Sequence, residues 1–125
     1  MATSAAGIKQ LVKQWQKRLR LQDWRLRVVV LSESDMKQFL KENGRPADYI
    51  CGATAIRQHE KSATVYLTNM SPSNRKLNDP LEVTVIHELL HLHFVTDDEE
   101  PAIDSIAWAL FKARNPKAKD QYANV

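Results

Sequence analysis

The sequence predicts an α+β fold: a small, mostly antiparallel three-stranded sheet packed against one strongly apolar helix, with further helices at the N- and C-terminal ends. Three observations predict it. The chain has 125 residues, enough to bury one core and too few for a second large lobe. Apolar residues recur with a helical period at both ends of the chain and with a period of two in its middle. Between the middle and the last helix, residues 81–95 (LEVTVIHELLHLHFV) are apolar nearly all round, as in a helix enclosed by other elements.

Taken in order, Ile8, Leu11, Val12, Trp15 and Leu19 stand at helical spacing among Lys9, Lys13, Lys17 and Arg18, which predicts an amphipathic helix over about residues 5–21. Trp24, Leu26, Val28 and Val30 alternate with Arg25, Arg27 and Val29, a strand with one well-buried face. Residues 34–43 read as a short helix, and Asn43-Gly44-Arg45-Pro46 as a turn. A second strand follows over residues 49–59, and a tight connection at Glu60-Lys61-Ser62 leads into a third, residues 63–68, so that the pair forms a β-hairpin. Residues 69–80 are loop by composition, and Asp79-Pro80 supplies a cap and a first-turn proline for the apolar helix. Residues 96–101 (TDDEEP) cap a last helix, whose stripe of Ile103, Ile106, Ala107, Leu110 and Phe111 runs to about Asn115. The polar tail from about residue 116 closes a single domain spanning residues 1–125.

Composition narrows the functional classes. The net charge is +3 and the 18 basic and 15 acidic residues are spread along the chain, so nucleic-acid binding is a weakly supported option. Lys9, Lys13, Lys17, Arg18, Arg20, Arg25 and Arg27 could gather on one face, but such charges usually form a solvated helix surface. The single cysteine, Cys51, excludes an internal disulfide framework and reads as a small core residue in a reducing compartment. No apolar run has the length of a membrane span and the first residues do not form a secretory signal, so a soluble, cytoplasmic protein is expected.

Chemistry is concentrated in His87-Glu88-Leu89-Leu90-His91. Two imidazoles four residues apart fall about one helical turn apart on one face, a separation that one tetrahedral Zn²⁺ can bridge. Glu88 projects about 100° round the axis from His87, where it can take a proton from a metal-activated water and pass it to a leaving amine. The pattern implies zinc-dependent peptide hydrolysis, with His87 and His91 as metal ligands and Glu88 as base and then acid. His93 falls about 200° round the axis from His91, on the far side of the helix. His59, Tyr66 and Tyr122 are weak candidates for stabilising an oxyanion.

The motif needs a third protein ligand, and here the chain resembles the gluzincins, in which a glutamate on a following helix completes the site. Glu100-Pro101-Ala102-Ile103-Asp104 is similar to the Glu-Ala-Ile-Ser-Asp type segment of that branch. The resemblance implies Glu100 as ligand and Asp104 as acceptor for the first histidine, which would fix its tautomer. Pro101 departs from the pattern by disfavouring helical geometry at Glu100, which leaves Glu99 as an alternative ligand. The length and element order look like the minigluzincins, with a resemblance over about residues 49–113 that is strongest over 83–110. A strand at the sheet edge, bordering the cleft and pairing with an extended peptide substrate, is also implied, and residues 63–68 are the candidate. The metzincin pattern is excluded, because Phe94 and Asp97 stand where it needs Gly and His. SprT-like proteases use a later histidine, and none follows His93. The alternative to a peptidase is a zinc-binding regulatory or nucleic-acid-associated protein whose HExxH site is latent or inactive.

Overall fold

The structure is a computed structural model that describes residues 4–44, 52–68, 80–94 and 100–117, with the side chain of Glu100 outside the description. It is an α+β domain with the element order α1 (Ala5–Arg18), β1 (Arg25–Leu31), α2 (Glu33–Glu42), β2 (Gly52–Arg57), β3 (Ser62–Thr68), α3 (Leu81–Leu90) and α4 (Glu100–Arg114). No described helix is long and apolar enough to cross a membrane. Cys51 and Tyr122 lie outside the described residues.

Ser4 starts α1 by accepting the Gly7 amide at 3.1 Å, satisfying one of the donors a helix N-terminus leaves open. The helix ends at Arg18, three residues short of the expected residue 21, because Arg20 turns the chain with φ 58 and the Leu21 amide bonds back to the Gln16 carbonyl. Ile8, Val12 and Trp15 are its buried face. Ser32 caps α2 through the Asp35 amide at 3.2 Å, and Asn43 closes it ahead of Gly44, whose φ of 67 suits a residue without Cβ.

The sheet has the order β1-β3-β2. The β2–β3 hairpin is antiparallel, running from Gly52 opposite Leu67 to Arg57 opposite Ser62, and its connection is a 3₁₀ turn at Gln58–Glu60 followed by Lys61 at φ 48. The other pair corrects the antiparallel expectation: β1 runs parallel to β3, from Arg25 opposite Ser62 to Leu31 opposite Thr68. The pairing also corrects the edge assignment, since residues 63–68 form the central strand while β1 and β2 are the described edges. Its physical basis is two-sided burial. Ala63, Val65 and Leu67 face the main core with Leu26, Val28 and Val30, while Tyr66 faces the smaller cluster of Met36, Leu40 and Ala53 under α2. Phe39 stacks on Tyr66 with ring centroids 4.2 Å apart, holding α2 to that side.

The main core joins both terminal helices to α3 through Ile8, Trp15, Val85, Ile86, Leu89, Ile103 and Phe111. Pro80 is the N-cap of α3 and not its first helical residue, and Asp79 lies outside the described residues. The helix also stops at Leu90 instead of continuing to residue 95. Residues 91–93 tighten into turns in which the Leu92 and His93 amides bond the Leu89 and Leu90 carbonyls, three residues back. His93 Nε2 lies 2.9 Å from the Leu19 carbonyl at the end of α1, which anchors this turn away from the sheet.

Candidate metal centre

The histidine–glutamate cluster forms where α3 ends. His87 and Glu88 occupy its last turn, and His91 is its C-cap, with φ −59 and ψ −20. Because the backbone stays near helical values through this cap, the four-residue spacing still brings the two imidazoles edge to face, with ring centroids 5.1 Å apart at 63°. The C-terminal end of a helix carries partial negative charge, which favours a cation there. Both rings are half-buried.

Glu88 is 7% exposed, the one buried acidic residue among those described. Its Oε1 accepts a hydrogen bond from the Thr54 hydroxyl at 2.8 Å. That hydroxyl is also 3.3 Å from the Glu88 carbonyl oxygen, but with a single proton it serves the shorter, charge-assisted contact. Thr54 faces α3 because it shares the sheet face of Gly52 and Ile56, and it sits on an edge strand. Gly52 supplies the clearance: a Cβ built there would stand 3.0 Å from Glu88 Cγ and 3.1 Å from both Leu67 Cδ2 and Thr84 Cγ2. β2 can therefore approach α3 closely only with glycine at that position.

On the other flank, α4 brings Asp104 to His87, with Oδ1 3.5 Å from Nδ1. A carboxylate on that nitrogen favours a proton there and leaves Nε2 as the lone-pair side. Ile103 and Ala107 lock the helix in place by packing fully into the core. Glu100 begins α4, but its side chain and all of Glu99 lie outside the described residues, so neither is placed relative to the imidazoles. Among the described residues no group of three His, Cys, Asp or Glu side chains gathers as a metal site. The donor set of two neighbouring imidazoles, one backed by a carboxylate, fits Zn²⁺ in ligand type and needs at least one further ligand.

The other sequence candidates lie elsewhere. His93 bonds α1, His59 is exposed in the hairpin turn, and Tyr66 faces α2. Thr54 and Gly52 escaped the sequence reading, since nothing local marks a strand residue as the partner of a helix 34 positions later. The small-residue run Gly52-Ala53 was the available signal for a close approach. Comparison with protein-family models, curated proteins and solved structures gave no match.

Proposed function

We propose that this chain is a zinc-dependent metallopeptidase of gluzincin type that cleaves extended polypeptide segments. The observation that carries the reading is Glu88: a carboxylate buried to 7% exposure, hydrogen-bonded by the Thr54 hydroxyl and placed in the same helical turn as two neighbouring imidazoles. Burying a carboxylate is costly, and a group held so close to two metal-ligand side chains is a candidate for proton transfer.

His87 and His91 would hold the metal, with Glu100 as the third ligand by the gluzincin resemblance. Zinc, when bound, supplies the Lewis acidity that brings the pKa of a coordinated water toward about 7. Glu88 accepts the proton of the attacking water and delivers it to the departing amine nitrogen. Thr54 limits the rotation of the Glu88 carboxylate, and Asp104 orients the His87 ring by holding the proton on Nδ1. The substrate strand would lie along β2, the edge strand that contributes Thr54, in place of the central strand.

The test is metal analysis of purified protein combined with casein cleavage, comparing wild type with Glu88→Gln and Glu100→Ala. One equivalent of zinc, retained in Glu88→Gln while cleavage disappears and weakened in Glu100→Ala, is the expected result. Zinc without cleavage in the wild type would leave a binding protein, and no metal in any preparation would overturn the reading.

A further inference from the structure

A second surface lies at the opposite edge of the sheet from Glu88, beside β1 instead of β2. A groove of about 640 Å³ runs between α1 and β1, lined on the helix by Lys9, Val12, Lys13 and Gln16. On the strand it is lined by five consecutive residues, 26–30. Successive side chains of a strand point to opposite faces, so a groove on one sheet face would meet only every second residue. Contact with all five means that the groove follows the outer edge of β1, where every second residue turns its N–H and C=O away from β3.

Among the described residues, the second half of this edge lacks the protection such edges ordinarily carry. Arg25 and Arg27 guard its first half, but Val28, Val29, Val30 and Leu31 are each only partly buried. The floor and the edge are apolar, whereas the rim carries Lys9, Lys13 and Arg27, and none of the described residues lining the groove is acidic. None of these three cations forms an ion pair among the described residues. A second copy pairing through β1 would bring the same cations together across the seam, and like charges there disfavour it. Bases of a nucleic acid would find no aromatic ring to stack on among the described residues that line the groove.

We infer that the α1–β1 groove binds an extended acidic polypeptide segment, which adds as a strand to the free edge of β1. Its carboxylates meet Lys9, Lys13 and Arg27, and its alternate apolar side chains cover the partly exposed Leu26, Val28 and Val30. Main-chain pairing contributes most of the affinity and the lysines select the sign of the charge. The site is separate from the imidazole pair and stands whether or not the chain hydrolyses peptides.

Fluorescence anisotropy with a labelled seven-residue peptide alternating Glu and Val tests this directly. It is run on the full chain and, to exclude hydrolysis, on Glu88→Gln. The acidic peptide should bind, its lysine counterpart should not, and the exposed double variant Lys13→Glu with Arg27→Glu should weaken acidic binding about tenfold or more and admit the lysine peptide. The acidic peptide methylated at alternate amide nitrogens keeps its charge but cannot pair, and should lose binding. Equal binding of both peptides, full binding by the methylated peptide or no peptide binding would overturn the proposal. A ten-nucleotide oligothymidine that displaces the acidic peptide would reassign the groove to nucleic acid, and a dimer disrupted by the double variant would reassign it to a second copy.

Discussion

Thr54 and Gly52 stand so close to Glu88 that single substitutions there should separate its placement from its chemistry. Thr54→Val keeps the shape of the side chain and removes the hydroxyl from Oε1, so a buried carboxylate loses a donor at a cost of about 1–3 kcal/mol. A fall in kcat larger than the change in KM, with zinc content unchanged, is expected on the proposed reading. Gly52→Ala pushes a methyl group against Glu88 Cγ and should cost about 1–3 kcal/mol in a urea titration while lowering activity further. Asp104→Asn should weaken zinc affinity about 10- to 100-fold, measured by competition with a chelator, because His87 loses the charged acceptor at Nδ1. Far from the centre, the Lys61 ammonium hydrogen-bonds Asp23 and holds its carboxyl below the ordinary value of 3.8. Asp23 is thus more acidic folded than unfolded, and its contribution is present above 3.8 and lost as pH falls through the lower folded value. Lys61→Gln should lower the urea midpoint at neutral pH, match wild type once the pH is well below the folded Asp23 value, and lose its effect in high salt because both groups are more than half exposed.

At the scale of elements, both ends of the chain are tied to α3 through Glu82. Its Oε2 accepts from Trp15 Nε1 of α1 at 2.7 Å and lies 4.0 Å from Arg114 Nε of α4, while Asn115 Nδ2 approaches Oε1 at 3.4 Å. Glu82 also stands in the first turn of α3, where a negative charge complements the helix dipole. Trp15→Phe keeps most of the ring and removes the donor, so a loss of about 1–3 kcal/mol is expected, with faster amide exchange in α1 than elsewhere. The helical stripes of Ile8, Val12 and Trp15 and of Ile103, Ala107 and Phe111 were legible in the sequence, because helical periodicity is local. So was the spacing of His87, Glu88 and His91. The Glu82 junction was not, since a lone glutamate opening an apolar helix reads as a cap. The parallel pairing of β1 was missed for a related reason: periodicity identifies a strand but not its neighbour. Val28-Val29-Val30-Leu31, apolar toward both faces, was the sign of a strand with layers on both sides.

For the whole molecule, one large cluster spans α1, the sheet, α3 and α4, while α2 rests on the smaller group of Met36, Leu40 and Ala53. Unfolding should therefore be a single cooperative transition with fluorescence and circular dichroism coinciding, and hydrogen exchange should find α2 opening at lower free energy than α3. Separate transitions for the two probes would show that the clusters melt independently. The central position of β3 bears on how the protein is made. β1 and β2 leave the ribosome first, yet among the described strands each pairs only with β3, which emerges after both. Until Ser62–Thr68 is translated, the nascent chain carries two valine- and alanine-bearing strands without partners, a substrate for chaperones or for association between neighbouring chains on a polysome.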